Sequence, residues 1–161
     1  MRPDRAVSGG QTGVDQAVLR AARDAGLRTG GWAPRGWRTD DGPAPWLADF
    51  GLKEHESSAY PPRTEANVRV STGTLIIGDP MSPGCRLTRR LCDQLGRPWL
   101  CSVWPNNDTP AQAQERIRRI QRWIDRHQIR TINGAGNRER MNPGVGQAAY
   151  NLAFAVFQGT P

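Results

Sequence analysis

Short apolar runs alternate along the chain with segments in which apolar residues recur at helical spacing. Five runs have the length of buried strands, at 5–7, 27–32, 73–77, 99–103 and 129–133. The helical segments are predicted over 14–25, 63–70, 87–95, 110–127 and from Asn142–Pro143 to about 157. Alternating strands and helices form a parallel sheet covered on both faces. The pattern therefore predicts an α/β fold, a three-layer α/β/α domain spanning 1–161 with a mainly parallel sheet of about five strands.

The segment from Ala33 to Pro62 interrupts this pattern because it shows no sustained periodicity. Loops of this length in compact domains form binding lids or pack at interfaces, unless they are disordered. Trp37 and Trp46 argue against disorder, since disordered segments are poor in aromatic residues. We therefore expect an ordered loop.

The segment from Ser8 to Gln16, Ser-Gly-Gly-Gln-Thr-Gly-Val-Asp-Gln, lies between a predicted strand and a predicted helix. Glycines allow close backbone approach to an anion, and N–H groups at a helix N-terminus point toward it. This arrangement predicts a bound phosphate group, although the spacing is neither that of a P-loop nor G-x-G-x-x-G. The alternative is structural, with Thr12 as N-cap and Asp15 as the N3 residue of a capping box.

A second glycine-rich loop, residues 133–140, also follows a predicted strand and precedes a predicted helix. Two such loops at the carboxyl ends of parallel strands indicate two walls of one site. Arg138 can pair bidentately with a phosphate, or it can form a surface ion pair with Glu139 or another carboxylate. Two further predicted helix starts can contribute to the site or be plain caps, namely those with Arg63, Thr64 and Asn67 and with Gly84 and Thr88.

Little in the sequence points to catalysis. No G-x-S-x-G nucleophile elbow is present, and the candidate acid–base groups near the glycine loops are Asp15 and Glu139. Cys85, Cys92 and Cys101 show no paired spacing and are expected to be reduced, with Cys92 in the core. The two histidines are far apart in sequence, so no metal site is predicted. Anion-binding loops without an evident catalytic pair favour a binding protein over an enzyme.

The net charge of +7 resides almost entirely on arginine, since Lys53 is the sole lysine. Arg118, Arg122 and Arg126 share one face of the predicted helix 110–127, opposite an apolar face. We interpret this as a solvated basic face. Nucleic-acid binding is disfavoured because no recognised binding motif accompanies the charge. No run is long and apolar enough for a membrane span, and we expect a cytoplasmic protein.

Several motifs together resemble the molybdenum cofactor carrier family over nearly the whole chain. They are the Ser8–Asp15 segment, Pro34-Arg35-Gly36-Trp37 with Asp40-Asp41-Gly42, Tyr60 with Arg63-Thr64 and Asn67-Val68, Gly73-Thr74-Leu75-Ile76, Gly84 with Leu87-Thr88, and Asn133–Glu139. That family belongs with the lysine-decarboxylase-like phosphoribohydrolases and the DNA-processing protein DprA. The resemblance implies a Rossmann-like fold and a homotetramer that binds the molybdenum cofactor (molybdopterin), with molybdoenzymes as recipients. It implies that both glycine loops hold the anion, with Trp37 either stacked on the pterin or packed within its loop.

These inferences give one set of candidate cofactor-binding residues, without predicted catalytic residues or metal ligands. The set is Gly9, Gly10, Gln11, Thr12, Gly13, Asp15, Arg63, Thr64, Asn67, Gly84, Thr88, Asn133, Gly134, Gly136, Arg138 and Glu139. The function predicted from it is a carrier or store of a phosphorylated small molecule, the molybdenum cofactor. The alternative is a nucleotide-binding protein or a nucleotide N-glycoside hydrolase of the phosphoribohydrolase type, with Asp15 as its acid–base group.

Overall fold

A six-stranded, wholly parallel sheet forms the centre of the computed structural model, which describes residues 1–159. The strands are β1 (Arg5–Val7), β2 (Arg28–Ala33), β3 (Leu52–Glu54), β4 (Gly73–Gly78), β5 (Trp99–Val103) and β6 (Thr131–Gly136). Their spatial order is β3-β2-β1-β6-β4-β5. The chain thus builds one half of the sheet outward from β1 and the other outward from β4, and β6 returns between them. The order reverses at β1 and β6, where open parallel sheets bind ligands at their carboxyl ends.

Five α-helices cover the sheet and confirm the Rossmann-like three-layer prediction, with six strands in place of about five. They are α1 (Val14–Asp24), α2 (Tyr60–Val70), α3 (Pro83–Gln94), α4 (Pro110–His127) and α5 (Val145–Phe157). Helices α1, α4 and α5 share one apolar core with the sheet. Helices α2 and α3 pack together over the opposite face.

The two faces of the sheet differ in chemistry. Toward α1 and α5 the strands present Leu75, Ile77 and Ile132, which are at most 2 % exposed. Toward α3 they present Thr74 and Asn133 beside Ile76, and Asn133 Nδ2 donates to Thr74 Oγ1 at 3.2 Å in this layer. Small side chains cannot fill the space between a sheet and two helices as large aliphatic ones do. The α2–α3 face therefore leaves room for a cavity.

The structure corrects three boundaries predicted from the pattern. Residues 134–136, predicted as loop, complete strand β6, and the last helix begins at Val145 after an N-cap at Gly144. The long segment contains a 3-10 helix, Pro45–Phe50, as well as β3 and the first residues of α2. Trp37 packs against a second apolar cluster around Leu47.

Helix α4 begins as the sequence predicts, with Thr109 as N-cap and a complete capping box. Thr109 Oγ1 accepts from Gln112 N at 3.2 Å, and Gln112 Oε1 accepts from Thr109 N at 2.9 Å. Replacing an N-cap threonine with alanine costs about 1 kcal/mol. We expect Thr109→Ala to lower the free energy of unfolding by about this amount in urea titration. Thr109→Ser is the comparison that keeps the capping hydroxyl, and an equal loss there would contradict a specific cap effect.

Candidate functional site

A cavity of about 300 Å³ lies over β6, between α2, the start of α3 and the loop after β1. The cavity thus lies at the carboxyl ends of β1 and β6, where the strand order reverses, and residues of both glycine-rich segments line it. Twelve of the sixteen predicted binding residues line it: Gly9, Gln11, Asp15, Arg63, Thr64, Asn67, Gly84, Thr88, Asn133, Gly134, Gly136 and Arg138. Sequence reasoning did not include five other lining residues, which are Tyr60, Pro61, Pro83, Leu87 and Ala135.

The backbone of the first glycine loop is largely occupied by bonds within the protein. The N–H of Gly10 donates to Ser8 Oγ at 3.3 Å, and that of Gln11 donates to Asp15 Oδ2 at 3.2 Å. Thr12 N donates to Gln11 Oε1 at 2.9 Å, and Val14 N to the Asn137 carbonyl at 3.2 Å. These four N–H groups are therefore not free to cradle a phosphate. The N-cap of α1 is Gly13 without a side-chain cap, so the capping box predicted for Thr12 and Asp15 does not form either.

Side chains supply the donors that remain at this wall. Gln11 Oε1 accepts from the N–H groups of Thr12 and Asp40, which fixes the orientation of its amide. Its Nε2 is buried without a hydrogen-bond partner, and so is Arg63 Nε. Because buried polar groups are normally paired, two unpartnered donors at one cavity indicate a missing acceptor.

Asp15 and Arg63 form a buried ion pair beside these donors. Asp15 Oδ2 lies 3.5 Å from Arg63 Nη1, and the two side chains are only 6 % and 11 % exposed. Burial raises the pKa of Asp15, and the attraction of Arg63 and the N–H of Gln11 lower it only in part. Burial likewise lowers the pKa of Arg63, opposed by Asp15. Each charge is thus held in the cavity wall mainly by the other.

Three guanidinium groups surround the ring of Tyr60 at the cavity. The Cζ atoms of Arg38, Arg138 and Arg63 lie 4.6, 4.7 and 5.3 Å from the ring centroid. Arg138 Nη1 is also 3.1 Å from Asp40 Oδ1. The neighbouring carboxylates are those of Asp15 and Asp40, so the net charge of the cluster is positive. Guanidinium groups that stack on an aromatic face keep their N–H edges available for oxyanions.

The position of α2 beside the sheet depends on Asn67, which is 2 % exposed. Asn67 Oδ1 accepts from Trp32 N at 2.8 Å, and Nδ2 donates to Trp32 O at 3.0 Å and to Arg63 O at 2.9 Å. Thr64 Oγ1 donates to the Tyr60 carbonyl at 3.0 Å. On the α3 wall, Thr88 Oγ1 donates to the Gly84 carbonyl at 3.0 Å. These predicted binding residues therefore help to shape the walls of the cavity.

The family model that matches this sequence, over residues 6–157, is that of the "Circularly permutated YpsA SLOG family". The chain belongs to this family. Among solved structures, the fold is similar to that of a "Putative molybdenum carrier protein" from Syntrophus aciditrophicus SB. The two sequences are 33 % identical, the match covers 97 % of this chain and 95 % of the other, and the TM-score is 0.86.

Two further comparisons give no information about the function of this SLOG-family chain. An imine reductase from Myxococcus stipitatus, in complex with NADP+, gives a TM-score of 0.36 at 18 % identity, over 83 % of this chain and 40 % of the other. Among proteins with curated functions, none matches significantly. The resemblance read from the sequence motifs is thus confirmed at the level of the family.

Four predicted binding residues of this SLOG-family chain lie away from the cavity lining. Gly10 faces Leu47 of the second apolar cluster, Thr12 is buried, and Gly13 packs on the segment after β6. Glu139 accepts the N–H groups of Gly144 at 2.6 Å and Gly146 at 2.9 Å, so it caps the start of α5. The family motif had marked these residues; Gly10, Gly13 and Glu139 make the packing and capping contacts described, whereas the buried hydroxyl of Thr12 has no hydrogen-bond partner.

The sequence carried a signal for part of what was missed. Tyr60, Leu87 and Ala135 belong to the quoted family motifs, whereas Pro61 and Pro83 gave no chemical signal. Within residues 1–159, no three His, Cys, Asp or Glu side chains are grouped to hold a metal ion. None of the helices in this part of the chain combines the length and apolar character of a membrane span.

Proposed function

We propose that this chain binds the molybdenum cofactor by its phosphate group in the cavity described above and acts as a cytoplasmic carrier or store. The guanidinium cluster around Tyr60 carries this proposal. Phosphate oxyanions are bound best by planar, permanently charged donors that are already held in place. The ion pair of Arg138 with Asp40 and the stacking of Arg63 on Tyr60 provide that preorganisation.

The dimensions of the cavity and its buried donors fit a phosphorylated small molecule. A neighbouring groove of about 420 Å³ shares Gly84, Gly136 and Arg138 with the cavity of about 300 Å³. Sites for small molecules typically measure roughly 300–1,000 Å³. Gln11 Nε2 and Arg63 Nε would donate to the anionic end, and the groove would receive the ring system. The redox chemistry of the metal belongs to the cofactor itself, and the proposed role of the chain is to hold it.

The choice of cargo takes support from the name of the Syntrophus aciditrophicus relative. We further propose a homotetramer that passes the cofactor to molybdoenzymes. Native mass spectrometry of the protein purified from its own cytosol tests assembly and cargo together, when it is followed by denaturation and elemental analysis. A released pterin with molybdenum in a tetramer supports the proposal. A released nucleotide would overturn the choice of cargo and lead to assays of base release.

Arg138→Gln should reduce the amount of bound ligand about tenfold, since a charge-assisted hydrogen bond contributes about 1.5–3 kcal/mol and Arg138 is half-exposed. The measurement is the occupied fraction in native mass spectra of equal protein samples. Arg126→Gln removes the same charge from the exposed last turn of α4 and should leave occupancy unchanged. Equal loss in both variants would indicate a general charge effect and contradict a specific role for Arg138.

A further inference from the structure

We propose that this site selects oxyanions that carry a proton, such as phosphate monoesters, over fully ionised ones such as sulfate esters, and that Asp15 makes the selection. The inference rests on the proposed function, because it concerns the anion held in the same cavity. It goes further by assigning the specificity to one carboxylate.

The geometry brings an incoming oxyanion against Asp15. The two unpartnered donors, Arg63 Nε and Gln11 Nε2, belong to residues that touch the Asp15 carboxylate. Arg63 Nη1 lies 3.5 Å from Asp15 Oδ2, and the backbone N–H of Gln11 donates to that same oxygen at 3.2 Å. Asp15 and Arg63 both line the cavity, so an anion paired with Arg63 there lies beside a carboxylate that is 5 % exposed.

An ionised carboxylate offers only acceptor oxygens. It can receive a hydrogen bond from the P–OH group of a protonated phosphate, but it repels an oxyanion that has no proton. The second pKa of a phosphate monoester is about 6, so one proton is available near neutral pH. A sulfate ester has no such proton. In a buried site, two adjacent negative charges without a shared proton are strongly unfavourable.

The surroundings of Asp15 make it suited to share a proton. Burial raises the pKa of this carboxyl, so a proton held between it and the ligand is less costly than on an exposed aspartate. The charged and titratable groups that face it are Arg63 from α2, Arg138 from the segment after β6, and Cys85 from α3. The two arginines favour the ionised carboxylate and attract the ligand. Burial raises the pKa of Cys85, which keeps this thiol neutral.

The hydrogen bonds already made by the N–H groups of the glycine loop support the same inference. A cradle of backbone N–H groups would bind sulfate and phosphate alike, because N–H groups only donate. In this chain the N–H groups of Gly10, Gln11 and Thr12 are already bonded, and that of Gln11 is used to hold Asp15 in place. The loop thus presents a carboxylate to the ligand where a phosphate-binding loop would present N–H donors.

The test is isothermal titration of the full-length protein with phenyl phosphate and phenyl sulfate, which differ only in the anionic group. At pH 7 we expect phenyl phosphate to bind about tenfold to a hundredfold more tightly, the range that corresponds to an unsatisfied buried acceptor. Titration in two buffers of different ionisation enthalpy should show uptake of a proton. Affinity for phenyl phosphate should fall as pH rises from 6 to 9, while affinity for phenyl sulfate should not.

Asp15→Asn should remove both the preference and the proton uptake, because its amide can donate to either ligand. Asp24→Asn, on the same helix but exposed, is the matched control and should behave as the native chain does. Equal binding of the two ligands without proton uptake would overturn the inference and leave the proposed function standing. If neither ligand binds, the proposed function fails as well. The buffer and pH series on the native chain decide the question even if Asp15→Asn does not fold.

Discussion

Replacing Arg63 with methionine should destabilise the protein by about 3–5 kcal/mol at pH 7 and abolish binding of phenyl phosphate. The expected loss of stability arises because the variant leaves the Asp15 carboxylate buried without its ion-pair partner. Binding is lost because the variant removes a cationic side chain that lines the cavity, together with its unpartnered Nε donor. Denaturant unfolding and isothermal titration measure the two effects separately. Arg126→Met, at an exposed site on α4, should change neither property.

The pH dependence of Arg63→Met provides a sharper check. Burial already raises the folded-state pKa of Asp15 above its unfolded value, and losing Arg63 removes an attraction that lowers it. A carboxyl whose pKa is higher in the folded state makes its full contribution to stability below its unfolded-state pKa of about 3.9. That contribution is lost as pH rises through the folded-state pKa. The deficit of the variant relative to the native chain should therefore be smaller at pH 5 than at pH 7. A deficit that is independent of pH would contradict this account.

The double variant Asp15→Asn, Arg63→Met separates stability from binding. Removing both charges takes away the desolvation cost along with the attraction, and such replacements are often neutral or stabilising. We expect the double variant to recover most of the stability lost by Arg63→Met and still not to bind phenyl phosphate. If binding returned together with stability, Arg63 would have only a structural role.

The sequence predicted the order of strands and helices well because most elements have strong local signals. Strand β5 was predicted at its observed bounds, and helix α4 had both a capping box and a long apolar stripe. Strand β3 was missed since Leu52–Glu54 is a three-residue strand at the edge of the sheet, too short to show a period of two. Residues 134–136 were predicted as loop because glycine disfavours strands. In the fold, a side chain at Gly134 would clash with Val18 of α1, so close helix–strand packing explains the glycine.

The sequence predicted most of the residues that line the candidate site, but not which of their donors remain available to a ligand. The glycine loop and the motif around Arg63 marked most of the cavity lining. However, the sequence could not show that the N–H of Gln11 is used by Asp15 or that Arg138 stacks on Tyr60. The contact of Arg138 with Tyr60 joins segments that are distant along the chain, whereas the bond from Gln11 to Asp15 is local and depends on the conformation of the loop. A motif specifies which residues occupy a turn, whereas the tertiary packing decides which of their donors remain available to a ligand.

Gly13 shows how a residue of the motif can be essential without touching a ligand, and Gly13→Ala should be among the most damaging single substitutions. Its φ is +85°, and an added Cβ would lie 2.5 Å from the Asn137 carbonyl oxygen and 2.7 Å from Glu139 N. Neither backbone atom can move without shifting Arg138, which lies between them in sequence. We expect a loss of about 2–5 kcal/mol, from backbone strain of about 1–2 kcal/mol and overpacking of about 1–3 kcal/mol.

Gly42→Ala is the matched control for Gly13→Ala. Gly42 has a similar φ of +90°, but nothing lies within 4 Å of the position where its Cβ would be. It should therefore lose only the strain contribution of about 1–2 kcal/mol in denaturant unfolding. The difference between the two variants measures the contact between the two walls of the site.

Because that contact positions Arg138, Gly13→Ala protein that remains folded should also bind phenyl phosphate about tenfold more weakly, the loss expected for Arg138→Gln. Equal stability of the two variants would mean that the segment after β6 moves away without cost. Glycine would then be needed at position 13 for its backbone conformation and not for the close contact between the two walls.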